Sequence, residues 1–101
     1  MQLARIAWES ATPPDEAALR GQLEGEGFSV MRWHDPPGRT YAPHRHGHDE
    51  SLWVVRGAIV FRIDGCDYRL GPGDRLMLPR GTVHAAEAAA GGVTYLIGER
   101  E

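Results

Sequence analysis

The feature that most constrains the fold is a series of short apolar-rich segments, each bounded by Gly, Pro or Asp, that begins at Phe28. The segments read FSVMRWH, HRHGHDESLWVVRG, AIVFRIDG, DYRLGPG, DRLMLPRG, TVHAAEAA and VTYLIGER. Turn signals stand between them at residues 36–38, 56–57, 64–65, 71–73, 79–81 and 91–92. Short strands at regular spacing with such turns indicate an all-β sandwich or barrel. The Asp64–Gly65 pair predicts a tight hairpin, and the Ala-rich stretch 85–90 is interpreted as strand because it lies inside this series.

The residues before Phe28 have a different pattern. Leu3–Trp8 is short and apolar-rich, which favours an edge strand. The stretch that follows predicts one short helix over residues 13–24, with Thr12 as its N-cap. Leu19 and Leu23 are four apart and so lie on one face of that helix. We expect the helix to cover one end of the barrel.

Charge and cysteine content exclude several classes of partner and compartment. Eleven basic residues against fourteen acidic ones give a net charge of −3, and the arginines are scattered singly. No basic patch indicates a nucleic-acid partner. The single cysteine, Cys66, permits no internal disulfide, which suits a reducing compartment. No apolar run approaches the roughly 20 residues of a membrane span and no signal peptide is recognised, so a cytoplasmic protein without a membrane partner is expected.

Three histidines fall within five residues, at His44, His46 and His48, and Glu50 follows them. Imidazole nitrogens together with one carboxylate suit a divalent transition metal such as Zn, Fe, Mn, Ni or Cu. Residues two apart in a strand point to the same face, so His44 and His46 can both reach one ion.

Glu50 can join such a site only if the chain bends. An extended chain would place the backbones of His44 and Glu50 about 20 Å apart. The residues suited to a turn are 47–49, and a turn there would return Glu50 to the side of His46. The same turn tends to move His48 off the inner face. His48 nevertheless lies two residues after His46, the spacing that puts side chains on one face of a strand. It could therefore replace His44 as a ligand, so both assignments stay open.

Two longer stretches resemble the motifs of the cupin family. Residues 38–57 read GRTYAPHRHGHDESLWVVRG and resemble the first motif, which is a Gly, five residues, HxH, three or four residues, a Glu, six residues and a Gly. Residues 73–88 read GDRLMLPRGTVHAAEA and resemble the second motif, although Ala88 stands where that motif has Asn. The matching positions are Gly38, His44, His46, Glu50 and Gly57, then Gly73, Pro79, Gly81 and His84.

This resemblance implies a small single-domain cupin. The implied fold is a conical barrel of six to eight strands, a double-stranded β-helix of jelly-roll type, with one short N-terminal helix. We expect one domain over residues 1–101, with the barrel core at about 28–98 and the N-terminal strand and helix within 1–27. The implied metal ligands are His44, His46, Glu50 and His84, with coordination positions left open for water or substrate, as in catalytic sites.

Alternation from Glu50 along its strand predicts which side chains line a cavity. Leu52 and Val54 share the face of Glu50, and Ile59 and Phe61 form the apolar face of the next segment. The predicted lining of the substrate pocket is therefore Leu52, Val54, Ile59 and Phe61, with Tyr41 at the rim.

Trp53 points away from that face. It can lie against a second sheet or in a subunit interface, since members of the family are commonly dimers and a homodimer is expected, or it can be covered by the N-terminal segment.

Two functions follow from a metal in an apolar-walled cavity. The first is a metal-dependent oxygenase, isomerase or lyase acting on a small organic molecule, with Glu50 as a possible proton acceptor. The second is a binding or sensing module that uses the same pocket without turnover. The fold alone does not decide between them.

Overall fold

Two long strands, β4 and β7, organise the molecule, whose computed structural model describes all residues 1–101. The elements in chain order are β1 (Ala4–Ile6), α1 (Glu16–Gly25), β2 (Ser29–Asp35), β3 (Thr40–His44), β4 (Asp49–Ile63), β5 (Cys66–Leu70), β6 (Arg75–Leu78) and β7 (His84–Arg100). The strands form one antiparallel sheet in the order β1-β6-β4-β7-β2, with β3 paired to β7 and β5 paired to β4. The predicted all-β barrel with one short N-terminal helix is confirmed.

The strands β4 and β7 are longer than the sequence predicted. The turns expected at 56–57 and 91–92 are wrong, because β4 and β7 continue through both positions. Gly57 (φ 79°) and Gly92 (φ 78°) adopt left-handed conformations there, and the β4–β7 register shifts around Gly57. Such glycines at bulges bend a strand without ending its pairing. A Cβ on Gly57 would overlap the carbonyl oxygen of Gly92, so the two paired backbones leave no room for a side chain there.

The hairpin between β4 and β5 confirms the prediction from the Asp64–Gly65 pair. Asp64 (φ 52°) and Gly65 (φ 78°) both have positive φ, as a two-residue type I′ turn requires, and Ile63 pairs with Cys66 across it. The Ala-rich stretch 85–90 is strand, as predicted, and belongs to β7.

The helix begins later than predicted, and its cap is Asp15 rather than Thr12. The amide of Ala18 donates a hydrogen bond to the Asp15 carboxylate at 3.3 Å. Because a residue before proline disfavours helical backbone angles, Pro14 prevents residue 13 from starting the helix. The helix has ten residues, and no helix of the chain combines the length and apolar composition needed to span a membrane.

The N-terminal segment covers the outer face of the sheet, where Trp53 lies. Trp53 is 6% exposed, and its indole N–H donates to the carbonyl of Gly73 at 2.8 Å. It packs in a second core cluster with Leu19, Leu23, Phe28 and Leu96. Of the two alternatives for Trp53, the structure supports burial by the N-terminal segment.

A buried arginine fixes the end of this segment to the barrel. Arg75 is 5% exposed, stacks on the Trp53 ring at 4.5 Å and donates to the Ser51 hydroxyl at 2.7 Å. Its guanidinium also donates to the Glu26 carboxylate just after α1. That hydrogen bond holds the pKa of Glu26 below its ordinary value.

We predict that Gly57→Ala destabilises the fold by about 3 kcal/mol or more, because its methyl group would overlap the Gly92 backbone. The matched control is Gly65→Ala, which has a similar φ but open space at the Cβ position. It should cost only about 1 kcal/mol of backbone strain. Urea unfolding of both variants tests this, and equal losses would contradict a close backbone contact at Gly57.

We predict that Glu26→Gln lowers the free energy of unfolding by about 1–3 kcal/mol at pH 7, since it weakens the partner of a buried guanidinium. A carboxyl whose pKa is lower in the folded state stabilises the fold above its unfolded pKa, and the contribution is lost as the pH falls through the folded pKa. The difference from the native protein should therefore shrink in acid. Glu16→Gln, in the exposed pair with Arg32, is the control and should change stability by less than about 1 kcal/mol.

Candidate metal centre

Three imidazoles from different parts of the chain meet beside one cavity. His44 is the last residue of β3 and His84 the first of β7, and the two are paired in the sheet with ring centroids 4.3 Å apart. His46 lies in the loop after β3, with its ring centroid 4.9 Å from that of His44 and 5.3 Å from that of His84. One nitrogen from each ring lies within 4.8 Å of the others, so this group could hold a metal ion.

Backbone carbonyls orient two of these rings. The Nδ1 of His44 lies 2.8 Å from the Ala42 oxygen, and the Nδ1 of His84 lies 2.9 Å from the Thr82 oxygen. A carbonyl oxygen only accepts, so each Nδ1 bears the hydrogen and each Nε2 keeps its lone pair. Burial lowers the pKa of His84 and favours its neutral form, which is the form that binds metals. This donor set fits a divalent transition ion.

The chain bends between His44 and Asp49, and Glu50 returns to the histidines. Glu50 is 5% exposed, and its Oε1 lies 3.7 Å from Nε2 of His46. The bend is held against the loop that precedes β7, because the Gly81 amide donates to the His46 carbonyl at 2.9 Å. The Arg80 amide likewise donates to the Asp49 carboxylate at 2.9 Å. The segments that resemble the two motifs are thus joined by direct hydrogen bonds.

His48 remains beside Glu50 rather than turning away from it. Its Nε2 lies 3.2 Å from Oε2 of Glu50 and 3.5 Å from Oε1 of Glu99. His46, His48 and Glu50 form a second group whose ligand atoms also lie within 4.8 Å. The two groups share His46, so His48 is either an alternative ligand or a hydrogen-bond partner of Glu50.

A cavity of about 250 Å³ opens beside the imidazoles. Of the predicted lining, Tyr41, Leu52 and Phe61 border it. Val54 and Ile59 do not; they are 0% and 1% exposed and lie in the packed core. Each lies two residues from a lining residue of β4, and a step of about 7 Å along a strand is enough to leave the cavity wall.

Sequence reasoning missed the part of the wall that β2 and β7 supply. Met31 and Trp33 of β2 line the cavity, as do Tyr95, Ile97 and Glu99 of β7. The alternation of side chains along each segment predicts two faces for each strand. Only the pairing of β2 with β7 shows which of these faces lines the cavity.

A buried carboxyl group organises that wall. Asp35, the last residue of β2, is 1% exposed and accepts three hydrogen bonds. Its donors are Trp33 Nε1 at 3.1 Å, Tyr41 Oη at 2.5 Å and Tyr95 Oη at 2.8 Å. Burial and Asp35 raise the pKa of Tyr41 and of Tyr95 above the usual value, so both remain protonated phenols at neutral pH.

The sequence around this site is similar to known protein families. The family model described as "Cupin domain" matches residues 31–97, which include all the histidines of the cluster. Quercetin 2,3-dioxygenase of Bacillus subtilis (strain 168) is 32% identical over 69 residues, covering 67% of this chain and 20% of that enzyme. The chain therefore spans about a fifth of the length of this curated relative.

Solved structures show the same barrel. KdgF from Halomonas sp. is 31% identical with a TM-score of 0.62, over 73% of this chain and 70% of that one. The DMSP lyase DddQ from Ruegeria pomeroyi DSS-3 is 28% identical with a TM-score of 0.68, over 73% of this chain and 38% of that one.

We predict that His84→Ala weakens divalent-metal binding by about 100-fold or more, because it removes a central nitrogen of the first group. His48→Ala should weaken it by less than about tenfold if its contact with Glu50 only orients that carboxylate. His34→Ala, outside both groups and bonded to Thr94, is the control. Calorimetric titration with Zn²⁺ or Co²⁺ measures the affinities. The reverse order of losses would assign the metal to the second group.

Proposed function

The chain belongs to the cupin family, and from that premise we propose that it is a metal-dependent enzyme that converts a small organic substrate in the cavity beside His44, His46 and His84. The observation that best supports this is the position of the cavity, which directly borders these imidazoles and Glu50. A closed structural site would leave no such space beside its ligands. The reaction type we propose is oxygenase, isomerase or lyase.

The proposed ligands of one divalent transition ion are His44, His46, Glu50 and His84. The three imidazoles converge with free Nε2 lone pairs on at least two rings, and the Glu50 carboxylate lies next to His46. Under this proposal His48 donates its Nε2–H to Glu50 and orients it, as outer-shell partners of metal ligands commonly do. A bound ion of this kind supplies Lewis acidity and a template for an oxygen-bearing substrate.

Glu50 is the proposed proton acceptor. Tyr41 and Tyr95 are poor bases because their raised pKa keeps the phenol hydrogens in place. Glu50 contacts His48, which in turn contacts the half-exposed Glu99. Glu50 is the carboxylate that borders the cavity and also lies beside the His46 imidazole.

The comparisons support enzyme chemistry at the level of reaction type. One relative is named a dioxygenase and one structural neighbour is named a lyase. Neither name defines the substrate of this chain, whose cavity is lined mainly by apolar and aromatic side chains.

We also propose that residues 1–101 fold as one domain, which forms a homodimer. The single domain is supported by the pairing of β1 with β6 and by the packing of α1 against the Trp53 cluster. The dimer is supported by the exposed apolar side chain of Ile6 on β1, a strand at the edge of the sheet.

The test is turnover by the protein reconstituted separately with Fe²⁺, Mn²⁺, Ni²⁺, Cu²⁺ and Zn²⁺, with quercetin, DMSP and a panel of small organic acids as substrates. We expect metal-dependent product formation, and Glu50→Gln should lower kcat by about 10²–10⁴-fold. Glu87→Gln is the control, because Glu87 lies outside the cavity and pairs with Arg62. Thermal stabilisation by a panel compound without any product would contradict the enzyme and support a sensing module.

A further inference from the structure

Trp33, Tyr41 and Tyr95 line one wall of the cavity. Their hydrogen-bond donors all point to the buried carboxyl group of Asp35. We propose that Asp35 is a positioning residue that makes this wall a hydrogen-bond acceptor, so that the cavity selects a ligand with a hydroxyl or N–H group facing Tyr41. The inference rests on the proposed function, because it describes the part of the substrate that lies away from the metal.

The geometry at Asp35 leaves Tyr41 with no hydrogen for a ligand. A phenol has one hydrogen, and that of Tyr41 is donated to Oδ1 of Asp35 at 2.5 Å. Tyr95 donates its hydrogen to the other oxygen, Oδ2, at 2.8 Å. The side-chain oxygens of Asp35 accept all three hydrogen bonds of the group, and no buried polar side-chain atom lacks a partner.

The indole of Trp33 is occupied in the same way. Its single N–H points at Asp35 at 3.1 Å and at the Tyr41 oxygen at 3.3 Å. The Tyr95 contact with Asp35 is buried, whereas the Tyr41 oxygen meets Trp33 at the exposed side of the group. The polar atom of this wall that a ligand can reach is therefore the phenol oxygen of Tyr41, which acts as an acceptor.

The other polar side chains that line the cavity are also mainly hydrogen-bond acceptors. Glu50 and Glu99 add carboxylate oxygens to the cavity, and no arginine lines it. Apart from the imidazoles, the polar side chains available to a ligand accept hydrogen bonds. A ligand that presents only acceptors to this wall would leave its own polar atoms unpaired on binding, which lowers affinity.

The experiment compares two kinds of probe on the Co²⁺-loaded protein. Benzoate offers a carboxylate to the metal and no donor, whereas 3-hydroxybenzoate and 4-hydroxybenzoate add one hydroxyl at two different positions. We expect at least one hydroxybenzoate to bind about fivefold more tightly than benzoate, which is the effect of one hydrogen bond. Calorimetric titration gives the dissociation constants and their ratio.

Variants test whether Tyr41 and Asp35 cause the preference for a hydroxybenzoate over benzoate. Tyr41→Phe keeps the ring but removes the oxygen and should bring the ratio to about one. Asp35→Asn replaces one acceptor oxygen with an N–H donor; with that donor against the Tyr41 oxygen, the Tyr41 hydrogen is free for the ligand and the ratio should fall to within twofold of one. Tyr68→Phe, on β5 and outside the cavity, should leave the ratio unchanged. A general loss of structure would weaken both probes, so the affinity of each variant for benzoate shows whether it is still folded.

The outcomes separate this inference from the proposed function. Failure of the native protein to bind Co²⁺ would overturn the proposed metal site and this inference with it. Co²⁺ binding with equal affinities for all probes, or with a preference that persists in Tyr41→Phe, would overturn the inference alone. If Asp35→Asn does not fold, the partly exposed Tyr41 still decides the outcome through its own variant.

Discussion

The pairing of β4 with β7 is the interaction on which the other elements depend. The strands β2 and β3 attach to β7, β5 and β6 attach to β4, and β1 attaches through β6. The two long strands bend where Gly57 meets Gly92, and this bend turns the two halves of β4 towards the same interior. Leu52 before the bend and Phe61 after it consequently line one cavity. A side chain at Gly57 would separate the strands at the point that makes this geometry possible.

The candidate metal centre follows from how the loops at its edge are joined. His44 and His84 are fixed by their pairing at the ends of two strands, but His46 lies in a loop that has no strand partner. The amide of Gly81 supplies the missing anchor by binding the His46 carbonyl, and Gly81 has a positive φ of 76°. The Pro-x-Gly turn before His84 thus does more than reverse the chain, because it also positions the loop of a second candidate ligand.

Much of the fold and the histidine cluster could be predicted because both leave local signals. Turn residues mark the Asp64–Gly65 hairpin, and the bend that returns Glu50 follows from the length of an extended chain. Long strands through Gly57 and Gly92 could not be predicted, since glycine marks turns and bulges alike and only the partner strand distinguishes them. Asp15 replaced Thr12 as the cap because of a steric effect of Pro14.

The parts of the site that sequence reasoning missed depend on contacts between distant segments. Asp35 follows Trp33 by two residues, yet its acceptor role requires Tyr41 and Tyr95 from two other strands. The sequence shows that His48 belongs to the histidine cluster but does not predict where its ring lies. Its position depends on contacts with Glu50 and with Glu99, about fifty residues later. The alternation of side chains in one segment predicts the two faces of one strand. A cavity wall depends on which faces of different strands lie next to each other.

The Asp35 group also limits where proton chemistry can occur in the cavity. By accepting both phenol hydrogens in a buried position, Asp35 helps to raise the pKa of Tyr41 and Tyr95 and so removes them as bases at neutral pH. The Nδ1 atoms of His44 and His84 bear hydrogens donated to backbone carbonyls, which leaves their Nε2 lone pairs for the candidate metal centre. Under the proposed function Glu50 accepts the proton, because it is the carboxylate that both borders the cavity and contacts His46. The phenols of the aromatic wall therefore keep their own hydrogens, and the proposed base is the carboxylate beside the candidate metal centre.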